Sequence, residues 1–301
     1  MYHIDQISLD YRPRERVARI VPELQTGVLM YEFDSAFVCG LLQKFKPRRI
    51  LEVGVANGGT TAVMLQCMKD LGTPFSLRSV DILTKTPKNP SREIGYLGVM
   101  AAEALDVRDF QRRLGVILPQ VIESLAAEEE GKFDFLILDT NHSLPGETLD
   151  FLVAFPFLSP NAVVCLHDIR QNQKTPPSPY KIVSNALFNS VVAEKYVNTD
   201  ATRIPDYYPN TGAFQITKDT SKYINNVFGI LTENWLRPLN ESSLAAYNDV
   251  LRRRYAEESL WIYEKAVIMN YNSTRFVVPK KRFSNARKLI GRFARKIGLR
   301  K

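Results

Sequence analysis

Residues 132–169, KFDFLILDTNHSLPGETLDFLVAFPFLSPNAVVCLHDI, constrain the fold more than any other part of the chain. Two apolar runs, Phe133 to Leu138 and Ala162 to Leu166, lack strict alternation, which is the pattern of strands covered on both faces of a parallel sheet. Between them, Glu147 to Leu158 carries apolar residues at helical spacing and is stopped by Ser159-Pro160-Asn161. Strand, helix and strand in that order form a right-handed crossover, and in open sheets of this kind ligands lie beyond the carboxyl ends of the strands. Asp139, His142, His167 and Asp168 all fall on that edge.

A second strand-to-helix junction lies upstream. Met30 to Phe45 has helical spacing and ends at Lys46-Pro47, and Arg49 to Val53 reads as a central strand. That strand runs into Gly54-Val55-Ala56-Asn57-Gly58-Gly59-Thr60-Thr61, with a helix expected from Thr61 to about Leu71. Glycines let a ligand approach the backbone closely, and the free N–H groups of a helix start favour polar or anionic groups. Such a turn is common by itself. It is sharpened by Glu52, an acid two residues before the first glycine, and by Asp81, an acid ending the strand at Ser79-Val80-Asp81 where ribose hydroxyls are bound in this type of fold.

These residues resemble the class I S-adenosylmethionine-dependent methyltransferases, whose first strand ends in E-x-G-x-G-x-G; here the motif reads E-V-G-V-A-N-G-G, with Ala56 in place of the middle glycine. The resemblance implies an α/β fold with a Rossmann-like seven-stranded sheet, mostly parallel with an antiparallel last strand, helices on both faces and, in this chain, a helical C-terminal extension. It implies that Glu52 and the turn Gly54, Ala56, Asn57, Gly58 and Thr60 face the methionine half of the cofactor, and that Asp81 binds its ribose. The usual adenine-side acid after the third strand is missing around Arg112 to Leu118. A narrower part, D-x-x-H at Asp139 to His142 with His167-Asp168 ending the next strand, looks like the metal-dependent O-methyltransferases of macrolide sugars and related bacterial glycan enzymes. Carried over, Asp139 and Asp168 bind magnesium, and His142 is the general base. A third acidic ligand is expected and has no obvious position. The implied acceptor is a hydroxyl of a sugar, glycan or related small molecule. The rival readings are an RNA or protein methyltransferase and a non-catalytic cofactor-binding partner in glycan synthesis.

Each residue also has a plainer reading. Asp139 ends a strand at the cofactor edge in methyltransferases that use no metal, and a cap of the following turn or helix is the plainer role for His142, although two of the three histidines lying at this edge is hard to attribute to packing alone. His167 precedes Asp168 on a strand and so is expected on the opposite face, as a structural residue. Glu147, in the first turn of its helix, complements the helix dipole.

The remaining segments are less specific. No structure is assigned to the polar start, up to about residue 30. Gln171 to Tyr180, rich in proline, reads either as a lid over the substrate or as a connector. Ile182 to Asn189 reads as a helix, and Val191 to Val197 and Gly212 to Thr217 as the last strands, with Tyr207-Tyr208-Pro209-Asn210 in a loop between them that is a candidate to reach the site. Thr220 to Asn234 and Glu241 to about Asn270 read as helices that cover the site, pack on the sheet or form a dimer interface. This gives a lead over residues 1–46, a methyltransferase domain over 47–218, an extension over 219–278 and a tail over 279–301.

The net charge of +8 is concentrated in that tail, because residues 280–301 hold ten Lys or Arg and no acid, leaving the rest slightly acidic. Phe283, Ala286, Ile290, Phe293 and Ile297 mark one helical face there. That pattern suits an anionic membrane, at about 1 kcal/mol per basic residue near headgroups. Nucleic acid is a weaker candidate for want of an aromatic platform, and a solvated terminus is the plainer alternative. Three cysteines in apolar segments, no run of eighteen apolar residues and an acid-bearing N-terminus lead to the expectation of a cytoplasmic protein, peripheral at most to the inner membrane face.

Overall fold

A computed structural model describes residues 4–27, 30–171, 182–197 and 210–277. The strands are β1 (Ile4–Gln6), β2 (Arg49–Val53), β3 (Ser76–Asp81), β4 (Lys85–Thr86), β5 (Asn89–Glu93), β6 (Phe110–Leu114), β7 (Phe133–Leu138), β8 (Leu158–Leu166), β9 (Glu194–Val197) and β10 (Gly212–Gln215). Eight of them form one sheet in the order β1-β9-β10-β8-β7-β2-β3-β6, and β4 and β5 form a separate hairpin. All neighbours in the large sheet are parallel except β10, which runs antiparallel to both β8 and β9. The expected seven strands with an antiparallel last member are present. An eighth, β1, adds to the β9 edge from the segment left unassigned in the sequence, since three residues are too short to show a period.

The apolar run of β7 is covered on both faces. Leu136 and Leu138 join one core with helix Gly146–Ala154 and the C-terminal helices, while Phe135 and Ile137 join the other with helices Glu32–Phe45 and Gly59–Leu71. Phe133, Phe135, Phe151 and Tyr263 are fully buried, each aromatic contributing about 1.5–3 kcal/mol by removal from water. The extension therefore packs on one face of the sheet, and the N-terminal lead, through Val17, Val21 and Phe37, packs on the other.

Several boundaries differ from expectation for identifiable reasons. The crossover helix ends at Ala154, a 3-10 turn spans Phe155–Phe157, and Ser159-Pro160-Asn161 lies inside β8. Pro160 has no N–H to donate, and pairing with β7 is irregular between Phe133 and Phe135, so this part of β8 is exposed rather than laddered. The helix expected from Glu241 onward is two, Glu241–Arg254 and Glu257–Val277, broken where Tyr255 turns extended and its hydroxyl donates to the Leu152 carbonyl at 2.6 Å. The stretch expected as helix from Thr220 is likewise two short helices, Lys218–Lys222 and Asn225–Ile230. The expectations for most of 171–180, for Tyr207 and Tyr208, and for the 280–301 tail lie outside the described residues. Among the described residues no helix is long and apolar enough to cross a membrane.

Candidate active site

The glycine-rich turn after β2 is a left-handed backbone held from below. Gly54, Ala56 and Gly58 have φ of 86°, 50° and 84°. Alanine tolerates this region at a cost of roughly 1–2 kcal/mol, and at Ala56 that cost is offset by two loop ties. Asp81 Oδ2 accepts from the amides of Val55 at 2.9 Å and Ala56 at 3.3 Å, and the Gly95 amide donates to the Ala56 carbonyl at 2.8 Å. Asp81 Oδ1 also accepts from the Leu83 amide at 2.8 Å, so the expected ribose acid doubles as the anchor of the loop. Asn57 and Thr60 line the hollow beneath the turn together with Glu52, Gly54 and Asp139.

Glu52 is buried and accepts from Ser79 Oγ at 2.6 Å and Thr61 Oγ1 at 2.8 Å. Burial outweighs these bonds and pushes its carboxyl up to about 7. A carboxyl raised on folding contributes its full stability below the unfolded value near 4.5 and loses it as pH climbs through about 7. Glu52→Gln is therefore expected to flatten the fall in stability between pH 5 and 8, by up to about 3 kcal/mol, in urea unfolding of the apo protein. An unchanged slope would show that the carboxyl is not the source of that fall.

The second half of the site is built where β7 and β8 end. The Asp139 amide donates to the Val53 carbonyl at 3.0 Å, so the first residue past β7 sits against the end of β2, and a Cβ at Gly54 would overlap the Asp139 carbonyl oxygen. His142 and Asp168 both adopt positive φ, 51° and 58°. Left-handed backbone at two non-glycine residues is costly, and here it turns both side chains into one cluster. His142 Nε2 lies 3.4 Å from Asp139 Oδ1 and 3.2 Å from Asp168 Oδ2. Its Nδ1 lies 2.9 Å from Oε1 of buried Glu147, which also accepts the His142 amide at 3.1 Å. Asp168 is further held by Asn210 Nδ2 at 2.6 Å and Gln171 Nε2 at 2.7 Å.

His167 does not turn away. The strand ends at Leu166, so alternation no longer applies, and His167 Nδ1 lies 3.1 Å from Asp139 Oδ1. Burial disfavours charge on both imidazoles, but the acids outweigh it: His142 is raised by Glu147, Asp139 and Asp168, and His167 is pushed up to about 9, chiefly by Asp139. Burial likewise disfavours the Asp139 anion, yet His167 and His142 hold its carboxyl below the usual range.

A cleft of about 420 Å³ continues from the turn, lined among others by Asp81, Ile82, Leu118, Asp150, Ser243 and Tyr247. Its floor contains a pair that no motif announced. Asp150 accepts from Tyr247 Oη at 2.6 Å and from Thr140 Oγ1 at 3.2 Å, and burial, with Glu147 nearby, pushes it up to about 7. Asn210, from the loop that is a candidate to reach the site, does reach it, whereas no motif marks Asp34, Glu147 or Thr211 as site residues. Asp34 and Thr211, joined at 2.8 Å, are 177 residues apart in the chain, a meeting that no local pattern encodes.

The donors present suit a divalent cation. One atom each from Asp139, His142 and His167 lies within 4.8 Å of the others, and Asp168 Oδ2 stands against both imidazoles at 3.2 and 3.8 Å. Two carboxylates with partly buried imidazoles are a metal-ligand chemistry.

Residues 51–169 match the family described as a methyltransferase domain. Over that stretch the chain resembles a methyltransferase domain. Its match spans both halves of the site, from the end of β2 to Ile169. No curated protein matches the chain. Among solved structures, the O-methyltransferase from Bacillus cereus in complex with SAH is 16% identical, with 69% of this chain and 91% of that one covered and a TM-score of 0.45. The O-methyltransferase TomG from Streptomyces achromogenes, involved in tomaymycin synthesis and in complex with SAM, is 16% identical, with 70% and 92% covered and a TM-score of 0.48.

Proposed function

We propose that the protein transfers a methyl group from S-adenosylmethionine to a hydroxyl of a sugar, glycan or related small molecule. The observation that carries this reading is the abutment of Gly54 on the Asp139 carbonyl, which brings the glycine-rich turn and the carboxylate–imidazole cluster onto one rim. The turn and the first amides of helix Gly59–Leu71 receive the donor's amino-acid end, since unpaired helix N–H groups attract a carboxylate. The cleft past Asp81 accepts the nucleoside, walled by Ile82 and Leu118 and floored by Asp150 and Tyr247 from the crossover helix and the extension.

On the acceptor side, Glu147 engages His142 Nδ1 and leaves Nε2 facing the acids, where it takes the hydroxyl proton. Asp139 and Asp168 would hold a divalent cation, magnesium by the resemblance, which would lower the pKa of the hydroxyl. His142 is a base only when neutral; burial favours that form, while Glu147 first, and then Asp139 and Asp168, oppose it, and a cation held by the two aspartates would offset part of that opposition. Because the sulfonium donor is already activated, no covalent enzyme intermediate is needed. Positioning and proton removal carry the rate.

Calorimetric titration of the full chain with S-adenosylhomocysteine, with and without a divalent cation, tests the reading. One saturable site per chain is expected in both conditions. Absence of binding would remove the methyl-transfer assignment.

A further inference from the structure

One imidazole in the cluster has no part in the reaction above. His167 is 10% exposed and stands between two acids, with Nδ1 3.1 Å from Asp139 Oδ1 and 3.8 Å from Asp168 Oδ2. Its other nitrogen, Nε2, faces Asn210 Nδ2 at 3.4 Å and Asp34 Oδ2 at 3.9 Å. Asp34 is itself buried and fixed by the Thr211 hydroxyl at 2.8 Å, so a carboxylate from helix Glu32–Phe45 backs the ring from behind. A ring nitrogen wedged between two carboxylates needs positive charge on that line, either a proton on the ring or an ion among the three groups. Imidazoles that bind metals are held in the same way, one nitrogen toward the ion and the other toward a polar or anionic partner that fixes the ring.

We propose that His167 is a metal ligand through Nδ1, completing with Asp139 and Asp168 a centre of one nitrogen and two carboxylate donors. The imidazole would supply the third protein donor, for which the resemblance implies an acid but offers no position. Magnesium binds through oxygen and keeps much of its water, whereas manganese, cobalt and zinc accept imidazole readily. The centre is thereby biased toward a divalent transition ion. Asp34 acts as the positioning residue, because a ring that ligates through Nδ1 carries its proton on Nε2, on the side of the Asp34 carboxylate. His142 is the competing donor, because its Nε2 also faces both acids, but its Nδ1 side is taken by Glu147 and its Nε2 is the base of the proposed reaction. The inference shares with that reaction only the assignment of Asp139 and Asp168 as ion-holding acids, and cofactor titration tests the reaction separately.

The test uses the full chain with Mn(II), Co(II) and Mg(II) as probes. Equilibrium dialysis with elemental analysis gives stoichiometry and relative affinity, and pulsed EPR of the Mn(II) form detects a directly coordinated nitrogen. The expected result is one Mn(II) per chain with nitrogen coupling that persists in His142→Ala. In His167→Asp the coupling should be lost and the Co(II)-to-Mg(II) affinity ratio should fall by about tenfold or more. A wild-type chain that holds no ion, or holds Mn(II) without nitrogen coupling, overturns the proposal. Loss of the coupling in His142→Ala overturns it as well, and that variant decides the matter even if His167→Asp fails to fold.

Discussion

His142→Ala is expected to lower methyl transfer by about 100- to 10,000-fold while leaving S-adenosylhomocysteine affinity within about threefold. The size follows from the proposed general-base role: an unassisted hydroxyl holds its proton at neutral pH, and His142 Nε2 stands 3.4 Å from Asp139 Oδ1 and 3.2 Å from Asp168 Oδ2. The specificity follows from position. His142 touches Glu147, Asp139 and Asp168 rather than the glycine-rich turn, so the donor's binding surface stays intact. Single-turnover transfer at saturating donor, with calorimetric affinity measured alongside, checks both parts. Equal losses in binding and turnover would instead place His142 among the groups that shape the donor site.

Gly54→Ala is expected to cost about 3 kcal/mol or more of stability and to abolish donor binding. Two penalties coincide there. The backbone has φ of 86°, and the added methyl would overlap the Asp139 carbonyl, a backbone atom that cannot rotate aside. Gly72 separates the two effects, since it has φ of 65° but nothing within 4 Å of an added Cβ. Gly72→Ala should therefore cost only about 1 kcal/mol, with donor binding unchanged. Urea midpoints of the two variants measure the difference. A Gly54 variant no less stable than its Gly72 counterpart would mean that the β2 turn and Asp139 do not abut.

The elements that carry the site were legible because their signals are local. Glu52 and the glycines follow β2 directly, and Asp139, His142 and Asp168 follow two apolar runs whose burial on both faces the absence of alternation already indicated. His167 was misplaced for an equally local reason: strand alternation was extended one residue past Leu166, where the chain is already turning toward the left-handed Asp168. Glu147 was read as a partner of the helix dipole because its helical position is visible in the sequence, whereas its contact with His142 depends on the turn between them.

Residue order alone thus determined a parallel sheet with acids and imidazoles at its carboxyl edge, because strand burial and turn chemistry are set by neighbours within a few positions. Tertiary structure decided what those groups face. Asp34 reaches His167 from helix Glu32–Phe45, and Tyr247 reaches Asp150 from the extension, across 97 residues. Such meetings are fixed by which helices cover each face of the sheet, a choice made by the packing of two whole cores rather than by any motif.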